Sequence, residues 1–292
     1  MQSLKAKWSH LPANIRGAGC VVAGGFLLIV MASLVKQLGQ SLPAFEVVFV
    51  RFLSGLIVIL PVVWRLGFGV LRTRRLGLHM MRGVVGFFGN LCFFFALIHM
   101  AIGDTVTIQF SRPLVMVVIA GLFLGEVVGK RRGALTVIGF SGVLLITRPF
   151  GDGFEPWALV ALAGTIFATL VVITVKLLTR TEQTVVIMFY FALTTTALSL
   201  IPAVLTWQTP TWAELGLLFL TGVLGIAGQS MFTHGIGLGE TSFVLPFDYL
   251  RIVYAFAIGA IMFAEVPDIW GAVGATVIVA SSLFLLKGER RR

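Results

Sequence analysis

Apolar residues run along this chain in stretches of about twenty, separated by short polar breaks. The pattern predicts ten helices, near 17–38, 44–65, 77–99, 103–125, 131–148, 156–178, 184–205, 212–236, 240–263 and 268–287. About 20 helical residues cross the hydrocarbon of a bilayer, so each run is a candidate membrane span. The connections leave no room for a second soluble domain. The predicted fold class is an all-α integral membrane protein with ten transmembrane helices.

The pattern also repeats. Gly83-Val-Val-Gly86-Phe-Phe-Gly89-Asn90 returns as Gly222-Val-Leu-Gly225-Ile-Ala-Gly228-Gln229. Matched glycine spacing inside matched apolar runs indicates two copies of one unit. Five spans per copy is an odd number, so the second copy enters the membrane upside down. The expected organisation is a cytoplasmic segment 1–16, a five-helix repeat 17–148, an inverted five-helix repeat 155–287 and a basic cytoplasmic tail 288–292. Inverted repeats with interrupted helices are the plan of many secondary transporters.

Composition agrees: 58% of the 292 residues are hydrophobic and 12% charged, against roughly 25% charged in soluble domains. The formal charge of +10 does not point to nucleic acid, because the basic residues fall in short clusters between apolar runs. With the N-terminus inside, clusters such as Arg72-Arg74-Arg75-Arg82 and Lys130-Arg131-Arg132 lie on the cytoplasmic side. Only Lys36 and Arg148 are left outside. That bias places both termini in the cytoplasm. The first apolar run is long enough to span, so it reads as a helix rather than a removable signal. Cys20 and Cys92 are the only cysteines and offer no disulfide framework or metal cluster.

Few ionisable residues fall inside the spans: Arg51, Arg112, Asp248 and Arg251 are the clear cases. A charge at mid-membrane costs roughly 2.5–3.5 kcal/mol on insertion scales and normally faces a partner or a wet cavity. Proline adjoins two of these sites, in Ser111-Arg112-Pro113 and Pro246-Phe247-Asp248, and interior proline interrupts a helix. Counted from Asp104 and Glu240, Arg112 and Asp248 are counterparts; counted from Glu126 and Glu265, Arg112 matches Arg251. Arg112, Asp248 and Arg251 are therefore expected to bind substrate or gate the path, beside the plainer reading that Asp248 and Arg251 neutralise each other. Arg51, nearer the outer end of its helix, either joins them or snorkels. Phe247 and Tyr249 flank Asp248 and are the aromatic candidates for a cavity.

The glycine strips are expected to pack helices. Asn90 and Gln229, at mid-membrane, either meet a polar solute or bond a neighbouring helix. No enzyme signature stands out: Gly125-Glu-Val-Val-Gly129-Lys130-Arg131 is too short for a phosphate loop and has arginine where Ser/Thr belongs. No cofactor or metal is expected. The expected partners are a small-molecule substrate and the lipid bilayer, with oligomeric state open and a monomer compatible.

Arg51-Phe52, Gly103-Asp-Thr, Gly239-Glu-Thr, Gly125-Glu126 with Gly133, and Ala264-Glu265 with Gly271 together resemble the drug/metabolite transporter superfamily, EamA type, over residues 17–287. Ala264 departs from the usual glycine. The resemblance implies a cavity between the halves, alternating access, and export of small metabolites across a bacterial inner membrane. Within the superfamily the chain looks most like the amino-acid exporters, those of broad specificity and the aromatic amino-acid group among them. Other carriers on this plan would take a nucleotide sugar, a cationic drug or S-adenosylmethionine.

Overall fold

The structure is a computed structural model that describes residues 11–123, 130–147, 155–266 and 268–289. Gly125-Glu126, Arg148, Lys5, Lys7 and the terminal arginines 290–292 lie outside the described residues. The helices, in chain order, are α1 (Ala13–Leu38), α2 (Ala44–Leu66), α3 (Leu76–His99), α4 (Ile102–Gln109), α5 (Arg112–Phe123) and α6 (Lys130–Thr147). They continue with α7 (Trp157–Leu178), α8 (Thr184–Leu205), α9 (Trp212–Leu238), α10 (Thr241–Val244), α11 (Leu250–Phe263) and α12 (Ile269–Glu289). Among the described residues, eight helical segments are long and apolar enough to cross a membrane. The expected fifth and tenth spans are helical, but their apolar parts, Gly133–Ile146 and Ile269–Ser281, are shorter. In the first of these the basic run Lys130-Arg131-Arg132 occupies the opening turn.

Local chemistry sets the helix ends. Pro12, Pro43 and Pro156 precede α1, α2 and α7; a proline there donates no N–H that the first turn would need. Thr211 opens α9 with a capping box, its hydroxyl accepting from the Glu214 N–H while the Glu214 carboxylate accepts from the Thr211 N–H. Gly67, at φ 82°, closes α2 in a conformation that a Cβ would strain. Within the bundle, buried hydroxyls bond their own helix: Thr165 to the Ala161 carbonyl, Thr195 to Phe191 and Ser199 to Thr195. No water is needed to satisfy them.

The two chain halves pack as partners. α1 lies against α9 and α3 against α7; α2 packs on α8, α4 on α11 and α6 on α12. Glycines set the close crossings. A Cβ added at Gly24 would stand 2.7 Å from the Gly228 carbonyl oxygen, and one at Gly17 would stand 2.8 Å from that of Gly235. Gly142 and Gly274 make the equivalent contact between α6 and α12, at 2.8 Å. These are backbone-to-backbone approaches of the kind small residues permit in membranes.

Candidate functional site

The fourth apolar segment is interrupted between α4 and α5, at Phe110-Ser111. Pro113 has no N–H, so the Gln109 carbonyl lacks its usual helical donor. The Arg112 side chain supplies one: its Nε donates to the Gln109 oxygen at 3.1 Å. This back-bond directs the guanidinium into the bundle, where an Nη donates to Asp248 Oδ2 at 3.1 Å. Asp248 sits on a 3₁₀ stretch, Leu245–Tyr249, in the equivalent interruption of the second half. Arg251, one turn on, donates to both Asp248 oxygens at 3.3 Å.

The two alignments of Arg112, with Asp248 or with Arg251, thus meet in one cluster of three side chains. Asp248 is 2% exposed. Gly25 of α1 makes the space, since a Cβ there would fall 2.6 Å from Arg251 Cγ. The Phe110 ring lies under both guanidinium groups, 5.2 Å from that of Arg112 and 5.7 Å from that of Arg251. It also lies 4.8 Å from the Tyr249 ring. With two cations on one carboxylate, the cluster keeps a formal excess of one positive charge.

The cluster opens onto a central cavity of about 90 Å³, lined from α1, α2, α3, α7, α9 and α11 as well as by Gln109 and Arg112. Arg51, Asn90 and Gln229 line it as well. Arg51 does not snorkel: it is 5% exposed, its guanidinium is 4.4 Å from the Phe52 ring and 5.0 Å from the Phe94 ring, and Nε points at Met31 Sδ. Asn90 donates to the Gly86 carbonyl at 2.7 Å within its own helix while facing the cavity.

Phe247 lies elsewhere. It is 38% exposed, packs on Phe243 and does not line the cavity. Phe110, not Phe247, holds the aromatic position beside Asp248.

Arg82 is the residue that sequence reasoning misplaced. Assigned to the cytoplasmic cluster, it is 1% exposed and lines the same cavity, its guanidinium 4.1 Å from the Phe191 ring. The available signal was its position, already inside the apolar run and one residue before Gly83. The glycine strips contribute here too. A Cβ at Gly86 would fall 2.4 Å from an Arg82 Nη, and one at Gly225 would fall 2.9 Å from an Arg51 Nη. The matched glycines therefore pack helices and seat arginines.

A second pocket, of about 230 Å³, lies where the N-terminal turns of α4 and α12 meet the end of α11; Asp104, Glu155, Glu265, Asp268 and Phe256 line it. Lys36 of α1 crosses to it, its Nζ donating to Glu265 Oε1 and to the Met100 carbonyl. Glu265 Oε2 accepts from the Ile102 N–H at 2.8 Å. Among the described residues, no group of three or more His, Cys, Asp and Glu side chains is placed to hold a metal ion.

Apolar helices of membrane length, two of them interrupted at buried charges around a polar cavity, define a multi-pass membrane transporter of small solutes. Residues 15–148 match the model of the EamA-like transporter family. The chain is 32% identical over 274 residues to an S-adenosylmethionine uptake transporter of Rickettsia bellii, covering 92% of this chain and 94% of that one. It is 28% identical to the pseudopaline exporter CntI of Pseudomonas aeruginosa (94% and 97% covered) and 27% identical to a riboflavin transporter of Vibrio cholerae (95% of each). A crystal structure superposes with a TM-score of 0.62 at 21% identity, over 93% of this chain and 98% of that one. The chain belongs to the EamA-like family of the drug/metabolite transporter superfamily. It is a transporter and not an enzyme.

Proposed function

We propose that the chain carries carboxylate-bearing, amino-acid-like metabolites out across a bacterial inner membrane, by alternating access around the central cavity. The observation that carries this reading is the convergence of Arg112, Arg251, Arg51, Asn90 and Gln229 on that cavity, with Asp248 behind it pairing Arg112 and Arg251. In it, Arg112 and Arg251 hold a solute carboxylate, Asn90 and Gln229 bond its polar groups, and Phe93, Phe94 and Phe232 meet its apolar part; Phe110 and Tyr249 lie outside the lining, beside the ion cluster. Because Asp248 is already engaged by two arginines, its part is to position them; a solute ammonium would have to compete for it.

The mechanism rests on two five-helix repeats, 17–148 and 155–287, inserted in opposite senses with both termini in the cytoplasm. Exchanging α1 with α7, α2 with α8, α3 with α9, α4 with α11 and α6 with α12 carries the main pairings into one another, α1–α9 onto α3–α7, α2–α9 onto α3–α8 and α1–α11 onto α4–α7. That is the symmetry expected when one unit is used twice, and it permits two near-equivalent states open to opposite sides. The Lys36–Glu265 pair ties α1 to the end of α11, and in this reading it is a latch on the outer side.

A second reading, uptake of S-adenosylmethionine, is favoured by the 32% identity to the Rickettsia bellii transporter. The sulfonium and ammonium of that solute would meet a cavity whose lining carries arginine and no acid. Counterflow in proteoliposomes decides between the readings. Exchange of amino acids or their carboxylated derivatives, without competition by S-adenosylmethionine, supports the first; the reverse pattern replaces it.

A further inference from the structure

Arg51 and Arg82 are left over by the Asp248 cluster. Both are more than nine-tenths buried, at 5% and 1% exposure, and both line the central cavity. Arg51 Nη1, Arg82 Nε and Arg82 Nη1 have no hydrogen-bond partner among the described residues. Four arginines and no Asp or Glu line the cavity; Asp248, behind that lining, engages Arg112 and Arg251 only.

Aromatic rings hold these guanidinium groups, Phe52 and Phe94 beside Arg51 and Phe191 beside Arg82. A ring takes up none of the N–H donors, and the acceptor that guanidinium binds in bidentate fashion is a carboxylate.

We infer that Arg51 and Arg82 form a second anion-binding region of the transport cavity, and that the natural solute carries two or more carboxylates. This rests on the reading of the cavity as the transport site. A zwitterion with one carboxylate brings no net charge: its carboxylate can pair with Arg112 and Arg251, but the excess on Arg112, Asp248 and Arg251 remains, and Arg51 and Arg82 stay uncompensated. A solute with further carboxylates neutralises them. Gly86, against Arg82, and Phe94, against Arg51, are eight positions apart on α3, about 12 Å at the helical rise. The two arginines therefore serve separate acidic groups rather than one.

A charge ladder on one skeleton tests this. Leucine, N-carboxymethyl-leucine and N,N-bis(carboxymethyl)-leucine carry one, two and three carboxylates on the same apolar side chain. Their binding to purified protein is measured at constant ionic strength by thermal shift and by tryptophan fluorescence. Affinity is expected to rise along the ladder. Arg82→Gln is expected to weaken the di- and tricarboxylate about tenfold, the scale of one charge-assisted contact, while leaving leucine unchanged; Arg51→Gln is expected to weaken the di- and tricarboxylate by more than it weakens leucine.

Equal affinity along the ladder, no binding by any member, or arginine variants indistinguishable from wild type would each overturn the inference. If a glutamine variant fails to insert, Arg82→Lys carries the test: it keeps the charge and loses the bidentate edge, so the tricarboxylate should weaken and leucine should not. Counterflow of the same ladder separates the two readings. Binding that needs Arg82 without flux of any member would sink the carrier proposal and leave the anion site standing.

Discussion

Arg112 and Asp248 stand 136 positions apart in the chain and 3.1 Å apart in the bundle, each on the interruption of its own helix. The contact joins the two halves at the centre of the molecule, and Arg251 completes it from the far side of the carboxylate. Removing one partner of a buried ion pair leaves an uncompensated charge, costing about 3–5 kcal/mol. Asp248→Asn should therefore abolish flux and lower the detergent melting temperature. Adding Arg112→Gln to it should recover stability but not transport. The cycle is read by thermal unfolding and counterflow, and additive stability losses would show that the pair is not coupled.

The Lys36–Glu265 contact spans 229 positions and lies beside the pocket that Asp104, Glu265 and Asp268 line. A charge-assisted bond of about 1.5 kcal/mol shifts a two-state equilibrium about tenfold. Glu265→Gln should accelerate maleimide labelling of a cysteine placed at Ala101, in a Cys20→Ser, Cys92→Ser background, by about that factor. The exchanged pair Lys36→Glu with Glu265→Lys should restore slow labelling. An unchanged rate in Glu265→Gln would remove the latch from the mechanism.

Glycine substitutions should divide by position. Gly24→Ala and Gly142→Ala put a methyl within 2.8 Å of a facing carbonyl oxygen and force two helices apart. Overpacking of this kind costs about 1–3 kcal/mol. Gly216→Ala meets nothing within 4 Å and should be neutral. Unfolding temperatures of the three variants provide the comparison.

Ala264 ends α11 in the left-handed region, at φ 53°, and the Glu265 N–H reaches back to the Gly259 carbonyl at 3.1 Å. A left-handed cap of this kind is where glycine fits without strain. Left-handed backbone costs a non-glycine residue about 1–2 kcal/mol, partly offset by the greater chain entropy that glycine loses. Ala264→Gly should raise stability by about 0.5–1 kcal/mol and leave flux unchanged. A lowered melting temperature would contradict the assignment.

Cytoplasmic placement of both termini is open to a direct check. Alkaline phosphatase fused after Lys287 should be inactive and green fluorescent protein at the same point fluorescent; the opposite pair of signals would invert the topology.

The sequence by itself determined what lipid demands of a chain locally. A helix that crosses hydrocarbon has to be written as one contiguous apolar run, so the spans, their interruptions at Pro113 and Pro246, and the charges beside them were legible without coordinates. The repeated glycine phrase was legible for the same reason, since it is written inside two such runs.

Tertiary structure alone decided which side chains face one another. The five-residue 3₁₀ stretch at Leu245–Tyr249 turns at three residues per turn, not 3.6. It displaces later side chains by about 100° from an α-helical projection, and Phe247 is turned outward while Asp248 is buried against Arg112 and Arg251. Arg82 could be placed only once α8 supplied Phe191 beside it and Gly86 left room for its guanidinium. Pairings across 136 and 229 positions depend on how helices are rotated and packed. Those rotations are set by backbone contacts such as Gly24 with Gly228, which no periodicity along one helix can specify.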